Sequence, residues 1–395
     1  MLGPLSAGEL SGEVNPAVTA VDVEGLRLID HHCHGVVKAD LDLAGFERFI
    51  TESYDSPPAG TSRFDSPLGL AVRRWCAPVL GLEPFASAED YMARRAELGA
   101  DEVARSFLKE AGMGALLLDT GYRSDELHDL KAMGELAAVP VHEILRLEAV
   151  AEAVAASGVN ASTYPSAFRD ALEEAAREAV GLKTIVAYRG GFSFDPEAPD
   201  DAEVVRAAGP FLEAAASGRP RLADPVLLRF GIWSGARLAR ERGLPIQFHS
   251  GWGDADLDLH LSNPTLLTGL IRELGRQGVN VVFLHCYPFH RDAAYLASVY
   301  GNVYFDVGSA LQYHGPSSSR LLAEAMEVAP FSKLLFSSDA FGLAEQYHLG
   351  AMLFRRALRE VLDGWIEADH CDAATAGRIA EGIARGNALR IYPLL

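Results

Sequence analysis

Eight short runs of apolar residues recur along the chain, and longer stretches with helical spacing separate them. The runs are rich in Val, Ile, Leu and Phe, and they do not alternate strictly with polar residues. This pattern is typical of parallel strands that are buried on both faces. We therefore predict strands over residues 26–30, 114–119, 139–147, 182–188, 244–249, 279–285, 302–307 and 333–339.

The stretches between these runs carry apolar residues at the spacing of amphipathic helices. The predicted helices cover residues 90–109, 148–156, 168–179, 201–216, 225–242, 264–276 and 292–300. Strands that alternate with helices form βαβ units, and eight such strands predict an α/β fold of the (β/α)8 TIM-barrel type. The sequence contains no internal repeat, low-complexity tract or linker, so we predict one domain over residues 1–395.

One connection is unusually long. Roughly 80 residues separate the first two predicted strands, whereas connections in such units are commonly about 2–6 residues long. We predict that residues 36–112 form a helical insertion after strand one. Because barrel active sites lie at the carboxyl ends of the strands, this insertion is either helical decoration or a lid that shapes a substrate pocket.

Residues that can bind a metal stand at the ends of four predicted strands. His32 and His34 end the first strand two positions apart, so their side chains point to the same side. His249, His285 and Asp339 end the fifth, sixth and eighth predicted strands. Four imidazoles and a carboxylate on one rim are hard to explain as core residues. The sequence therefore predicts a site for a divalent metal ion.

That set of side chains suits hydrolysis. Three neutral imidazoles and one carboxylate can hold a divalent ion and leave a position for water. The ion lowers the pKa of that water toward about 7 and can polarise a carbonyl group. A neighbouring carboxylate can accept the water's proton, and a fourth imidazole can act on the carbonyl or the leaving group.

The order of these motifs resembles the metal-dependent amidohydrolase superfamily, of the amidohydrolase 2 type. The resemblance rests on Asp30-x-His32-x-His34 followed by His249, His285 and Asp339, and it covers essentially the whole predicted barrel. Longer stretches resemble the branch found as the N-terminal half of fused amidohydrolase–glutamine synthetase-like proteins, the fungal FluG and plant nodulin type. These stretches are residues 181–189, 247–254, 256–259, 295–300 and 386–390.

The resemblance implies roles for the rim residues. His32, His34 and His249 would be metal ligands, and Asp339 would be both a ligand and the acceptor of the water's proton. His285 would be either a ligand of a second metal or the catalytic imidazole.

The choice between one ion and two depends on the fourth strand. Two-metal members of the superfamily use a carboxylated lysine there as a bridge, and Lys183 is the one lysine of that predicted strand. It stands near the start of the predicted strand, so we expect its ammonium group to lie deep in the barrel. We therefore favour one divalent ion with His285 catalytic. Zinc is the expected metal, with manganese and iron as alternatives.

The residues that follow the fourth and fifth predicted strands are candidates for substrate binding. Arg189 could clamp a carboxylate, and Tyr188, Trp252 and Asp254 could form the pocket wall. The leading interpretation is a metal-dependent hydrolase that cleaves a C–N bond, other than a peptide bond, in a small carboxylate-bearing substrate. A γ-glutamyl amide is one candidate, suggested by the fused synthetase-like half of relatives. The alternatives are a metal-dependent non-oxidative decarboxylase and a non-catalytic, metal-stabilised scaffold.

Composition limits the binding partners and the cellular compartment that we expect. The chain has 35 basic and 54 acidic residues and a net charge of −19, so we expect a small-molecule substrate and neither nucleic acid nor a membrane surface. Its 4 cysteines are far apart, which argues against a disulfide framework. We find no signal peptide and no apolar run long enough to span a bilayer, and we expect a cytoplasmic protein. Barrels of this kind often dimerise, but no sequence feature marks an interface.

Overall fold

The computed structural model describes residues 21–218 and 221–394. Its centre is one curled sheet in which every strand runs parallel to the next strand along the chain. The strands are β1 (Leu28–Cys33), β2 (Met113–Asp119), β3 (Val141–Arg146), β4 (Gly181–Thr184), β5 (Ile246–Ser250), β6 (Val281–His285) and β7 (Val303–Phe305). The fold is therefore of the α/β class and compatible with a TIM-barrel-like architecture.

Helices follow most of the strands and cover the outside of the sheet. They are α1 (Leu43–Glu47), α2 (Pro67–Ala71), α3 (Ala88–Leu98), α4 (Ala100–Ala111), α5 (Leu130–Ala137), α6 (Leu147–Ala156), α7 (Tyr164–Ala175), α8 (Asp201–Ala216), α9 (Pro225–Arg242), α10 (Thr268–Arg276), α11 (His290–Val299), α12 (Ala310–His314), α13 (Ser318–Ala325), α14 (Ala344–Glu367), α15 (Ala373–Glu381) and α16 (Asn387–Ile391). No helix in the described ranges is long and apolar enough to cross a membrane.

The eighth predicted strand is an irregular segment rather than a strand. The Leu335 N–H donates to the Phe305 carbonyl at 3.0 Å, and the His31 N–H donates to the Phe336 carbonyl at 3.3 Å. The segment 334–342 therefore bonds to β7 on one side and to β1 on the other. Its ladder is interrupted because the Ser338 N–H bonds the side chain of Asp30 instead of a neighbouring backbone.

The predictions of helices α8 and α9 are confirmed to the residue, because both helices carry strong end signals. Asp200 and Glu203 form a reciprocal capping box at the start of α8. Asp224 caps α9 with Pro225 in its first turn, and Gly243 ends that helix in the left-handed region at φ +70°. By contrast, the predicted helix 90–109 is broken by Gly99 into α3 and α4.

The predicted fourth strand is too long. Strand β4 ends at Thr184, and Val186–Tyr188 form a 3-10 turn in which the Tyr188 N–H donates to the Ile185 carbonyl at 2.8 Å. The apolar run continues past the strand because Val186 and Ala187 are buried in the turn. Apolar runs indicate burial more directly than they indicate strand geometry.

The long helix α14 is absent from the sequence predictions. Its length of 24 residues makes it the longest helix described, and most of it is buried. Gln346, His348 and Arg355 are buried polar residues in this helix. They interrupt the apolar stripe on which a periodicity argument depends.

The connection between β1 and β2 contains α1 to α4 and several short turns. Helix α4 leads directly into β2 and packs against α14, as an outer helix of the barrel does. Treating residues 36–112 as one insertion or lid stays a prediction.

Two hydrophobic clusters lie on the two sides of the sheet. The larger one packs the helices against the outside of the sheet. The smaller one fills the inside and includes Ile29, Leu117 and Leu284 from strands, together with Ile391 and Tyr392 from the chain's end. The C-terminal helix α16 thus closes the amino ends of the strands, and the carboxyl ends remain free to carry a site.

Candidate metal centre

The predicted metal ligands converge at the carboxyl ends of the strands. His32 Nε2 lies 3.3 Å from one carboxylate oxygen of Asp339, and His285 Nδ1 lies 3.3 Å from the other. His34 Nε2 is 3.7 Å from the same oxygen that faces His32. The ring centroids of His249 and His285 are 4.6 Å apart. The structure therefore brings together all five of the metal-binding residues that were predicted at the strand ends.

Burial keeps these imidazoles neutral. It lowers the pKa of His34 to about 3, although the Asp119 carboxylate acts in the opposite direction. Burial also lowers the pKa of His32 and His249 well below the usual range, and the nearby Lys183 ammonium adds to both shifts. A neutral imidazole has a free nitrogen lone pair, which is the form that binds a metal ion.

The orientation of the rings fits a bound cation. His34 Nδ1 lies 3.1 Å from the Asp119 carbonyl, so it carries the proton and its Nε2 lone pair points to the cluster. His249 Nε2 is buried without a hydrogen-bond partner. The ligand atoms of His32, His285 and Asp339 all lie within 4.8 Å of one another. Buried, unpartnered acceptors around a small space are what a divalent ion needs.

The backbone is held in unusual conformations at two of these residues. His285 has φ +67° and Asp339 has φ +48°, in the left-handed region that non-glycine residues rarely adopt. The Asp306 carboxylate accepts the His285 N–H at 2.8 Å and the Gly308 N–H at 2.7 Å. These bonds hold the end of β6 in the conformation that aims the His285 ring at Asp339.

Lys183 reaches the centre, contrary to the expectation that it lies too deep. Its Nζ is 2.8 Å from His32 Nε2 and 3.4 Å from an Asp119 carboxylate oxygen. The expectation is wrong because β4 ends at Thr184, which puts Lys183 one residue from the strand's end. Burial lowers the pKa of Lys183, with Asp119 opposing that shift.

Asp119 is held by an arginine that the sequence did not single out. Arg146, at the end of β3, donates to Asp119 through Nη2 at 2.6 Å and through Nε at 3.1 Å. Burial acts to raise the pKa of Asp119, but Arg146 and Lys183 outweigh it and lower the pKa. The ionised carboxylate of Asp119 thus completes a buried charge network beside His34.

A second buried polar group lies directly below the centre. His31 Nε2 is 2.8 Å from Asp306, and His31 Nδ1 is 3.0 Å from the Tyr392 hydroxyl. Gln247 donates to that hydroxyl at 2.9 Å and to the His31 carbonyl at 2.8 Å. The sequence pattern around His31 does not reveal these contacts, because its partners come from β5, from the residue after β7 and from the last described residues of the chain.

A cavity of about 630 Å³ opens above the histidines. Its wall carries cationic residues that follow β2, β3 and β4, acidic residues that follow β1, β3 and β5, and aromatic rings. Its volume lies within the range of about 300–1,000 Å³ that is usual for small-molecule sites.

Three of the four predicted substrate residues stand on this wall. Tyr188, Arg189 and Asp254 line the cavity, and the Tyr188 ring lies 4.5 Å from that of His249. Trp252 is outside the lining, and its ring packs 5.3 Å from Tyr313, which belongs to the lining. Trp252 therefore supports the wall from behind.

The wall contains further polar residues. Glu148 is buried, accepts from Thr184 Oγ1 at 2.5 Å and the Ile185 N–H at 3.0 Å, and keeps one oxygen unpartnered. Glu52 and Tyr313 also line the cavity. Glu52 and Tyr313 lie in connecting segments without a motif, so only their spatial position marks them.

Comparison with known proteins identifies the family. The family model described as Amidohydrolase matches residues 29–394. The chain is a member of the amidohydrolase family. This amidohydrolase is 27% identical over 399 residues to the protein fluG of Emericella nidulans, an alignment that covers 93% of this chain and 46% of fluG. The chain thus spans about half the length of that curated relative.

Two solved structures have similar folds. A Lactobacillus casei protein, provisionally named a metal-dependent hydrolase, has 30% sequence identity and a TM-score of 0.79 to this amidohydrolase, over 93% of this chain and 96% of that chain. An uronate isomerase from Bacillus halodurans has 14% identity and a TM-score of 0.65, over 93% and 94% of the two chains. The second similarity shows the shared fold alone.

Proposed function

We propose that this amidohydrolase hydrolyses an amide-type C–N bond in a small, carboxylate-bearing substrate, and that γ-glutamyl amides are the first class to test. The observation that carries the proposal is the convergence of four buried histidines and Asp339 on the floor of a cavity whose wall presents Arg189. A set of metal ligands beside a carboxylate-binding group suits amide hydrolysis better than a purely structural metal site.

His32, His34, His249 and Asp339 would hold one divalent ion, for which zinc is the expected metal. Bound there, the ion would supply an acidified water and polarisation of the substrate carbonyl. If two ions bind, His285 and a carboxylated Lys183 would complete the second site. The 2.8 Å distance between Lys183 Nζ and His32 Nε2 keeps this alternative open.

Asp339 and His285 would move the protons. One Asp339 oxygen faces His32 and His34, and the other faces His285 Nδ1. Asp339 can therefore take a proton from the attacking water while it remains beside His285. Asp339 can pass that proton to His285 through Nδ1, and His285 can then donate a proton to the departing nitrogen, which would otherwise leave as an unstable amide anion.

Arg189 would bind the carboxylate of the substrate. Its side chain is 10% exposed, its Nη2 donates to Glu152 at 3.2 Å, and its Nε is buried without a partner. A guanidinium with a free donor edge can donate two parallel hydrogen bonds to a carboxylate. Glu152 fixes the guanidinium because it also accepts the Leu222 N–H at 2.8 Å.

The test is product analysis on zinc-loaded protein with L-glutamine, γ-glutamyl methylamide and γ-glutamyl anilide. We expect release of ammonia or amine, and loss of about 10²–10⁴-fold in kcat for Asp339→Asn, since a catalytic proton acceptor contributes that much. Asp369→Asn changes an exposed aspartate and serves as the matched control. Release of CO₂ from an aromatic acid would instead establish the decarboxylase. Full metal content without turnover of either class would establish the scaffold.

A further inference from the structure

Three aromatic rings form one side of the cavity. Phe49, Tyr122 and Phe341 all line it, and we call them the aromatic wall. The ring of Phe341 lies 5.5 Å from that of Phe49 and 5.4 Å from that of Tyr122. Phe49 is buried, but Tyr122 is 44% exposed. A half-exposed ring beside two others leaves apolar surface facing the cavity, which a ligand can cover.

The aromatic wall begins at the metal centre and is firmly held. The Phe341 ring meets the His34 ring edge-on at a centroid distance of 5.6 Å. Gln346 of helix α14 accepts the Phe341 N–H at 2.8 Å and donates to the Phe49 carbonyl at 2.5 Å. One buried side chain therefore joins the backbones of Phe341 and Phe49, which carry two of the three rings of the wall.

A second side of the cavity carries Arg189, Arg221 and Asp254, and we call it the charged side, although Arg123 also stacks against the aromatic wall at 5.3 Å from the Phe49 ring. The aromatic wall follows β1, β2 and the segment 334–342, which are neighbours in the barrel. Arg189 follows β4, and Arg221 and Asp254 lie on either side of β5. Strands β1 and β5 lie four positions apart in the sheet. The metal centre lies between these two strands, with His34 at the end of β1 on one side and His249 of β5 on the other.

The cavity is large for an unsubstituted amide. Its volume of about 630 Å³ is that of a site for a drug-sized ligand. An acyl group of the size of glutamate would occupy the charged side and reach the centre, and the space along the aromatic wall would remain unfilled.

We infer that the ligand of this cavity carries a carboxylate at one end and an aromatic ring at the other, so that the substrate class is the amide of a carboxylate-bearing acid with an aromatic amine. The carboxylate binds Arg189, the scissile bond lies at the metal centre, and the ring packs against Tyr122 and Phe341 in offset or edge-on geometry. Assigning the ring to the leaving amine rests on the proposed function, whereas the two-ended shape of the ligand does not.

The reaction balances with water alone. Water adds its oxygen to the carbonyl carbon, the C–N bond breaks, and the nitrogen gains a proton. The products are the free acid and the aromatic amine. No oxidant or further reactant is required.

Kinetics with matched amides tests the leaving group. We expect kcat/KM for γ-glutamyl anilide to exceed that for L-glutamine by about tenfold or more, as is usual when an apolar group gains a fitting pocket. The ratio of the two kcat/KM values should fall by about tenfold in Tyr122→Ala. The ratio should not change in Tyr295→Ala, which removes a ring that is 56% exposed on helix α11. Equal kcat/KM values for the two amides would overturn the inference and leave amide hydrolysis intact.

Binding of uncleavable probes separates this inference from the proposed function. We expect 6-phenylhexanoate to bind the zinc-loaded protein about tenfold more tightly than hexanoate by titration calorimetry. Tyr122→Ala should remove that preference, and Arg189→Met should weaken both probes. This result without hydrolysis of any amide would support the two-ended ligand and contradict the C–N hydrolase. Equal affinities of both probes would overturn the two-ended ligand.

Discussion

At the residue scale, three histidines of strand β1 and its end have different tasks because they meet different neighbours. His32 and His34 face Asp339, whereas His31 is enclosed between Asp306 and Tyr392. The parity of a strand separates adjacent side chains, but it does not say which of them will meet a carboxylate. That choice depends on residues that lie far away in the sequence.

Asp306 is not a predicted metal ligand, but we expect its substitution to perturb the metal centre strongly. In Asp306→Ala the His285 N–H, the Gly308 N–H and His31 each lose an acceptor. We expect kcat/KM to fall by about 10²-fold because a catalytic ring is displaced. Asp306→Asn should recover part of the loss, since its amide oxygen still accepts both N–H groups. Metal content and kcat/KM would be measured together, with the exposed-site variant Asp170→Ala as control. Wild-type kcat/KM in Asp306→Ala would contradict the role.

Asp30 provides a pH-dependent contribution to stability. Burial raises its pKa to about 7, although its hydrogen bonds with Ser338 oppose the shift. Between about pH 4, the unfolded value, and about pH 7 the folded protein therefore binds one more proton than the unfolded chain. The contribution of Asp30 to the free energy of unfolding is full below this interval and is lost as pH rises through it.

Asp30→Asn tests this sign, because its neutral amide replaces the protonated acid. We expect the free energy of unfolding of wild type minus that of the variant to decrease as pH rises from about 4 to about 7. Above about pH 7 this difference in the free energy of unfolding should not change with pH. Urea unfolding of the metal-free proteins would measure it, with Asp369→Asn as control. An increase over the same interval would contradict the raised pKa.

At the scale of elements, the ends of the strands decide what reaches the site. Strand β4 has 4 residues and β7 has 3, and both are shorter than their apolar runs. The early end of β4 brings Lys183 to the centre and places Arg189 on the cavity wall after a tight turn. Apolar runs could predict the existence and order of these elements, but their ends depend on hydrogen bonds with neighbouring strands.

We expect Gln346 of helix α14 to stabilise the folded conformation of the connection between β1 and β2. Gln346→Leu removes the acceptor of the Phe341 N–H and the donor to the Phe49 carbonyl. Since an unpaired buried backbone group costs about 1–3 kcal/mol, we expect amide hydrogen exchange in residues 43–65 to become roughly tenfold faster or more. The partly buried Gln277 at the end of α10 offers the control variant Gln277→Leu. Unchanged exchange in residues 43–65 would show that other contacts hold this region.

At the scale of the whole molecule, the two ends of the barrel are specialised. Ile391 at the end of helix α16 and the following Tyr392 pack into the amino ends of the strands. The Tyr392 hydroxyl reaches His31, directly below the centre. One end of the barrel is thus a packed core and the other carries the cavity, which separates stability from chemistry.

Metal binding should be visible in the stability of the whole chain. We expect elemental analysis of protein purified without chelator to find about one equivalent of metal, and addition of zinc to the stripped protein to raise its Tm. Binding to the folded state alone stabilises by about 2.7 kcal/mol when the free ion is at 100 times its Kd. His249→Ala should lose both effects, and the exposed His370→Ala neither. About two equivalents would contradict the single ion and favour a carboxylated Lys183.

The sequence by itself determined the α/β class, the order of the strands and the five metal-competent residues at their ends. Periodicity reports burial, and parallel strands bring their carboxyl ends to one rim. The sequence alone therefore assigns one site to His32, His34, His249, His285 and Asp339.

Only the tertiary structure decided how that site is supported. The contacts of Arg146 with Asp119 and of Tyr392 with His31 join residues that lie far apart in the sequence, and the position of Lys183 depended on where β4 ends. The aromatic wall likewise combines rings from three separate connections. None of these pairings leaves a periodic signal, because each depends on the distance between side chains in the folded barrel and not on their spacing along the chain.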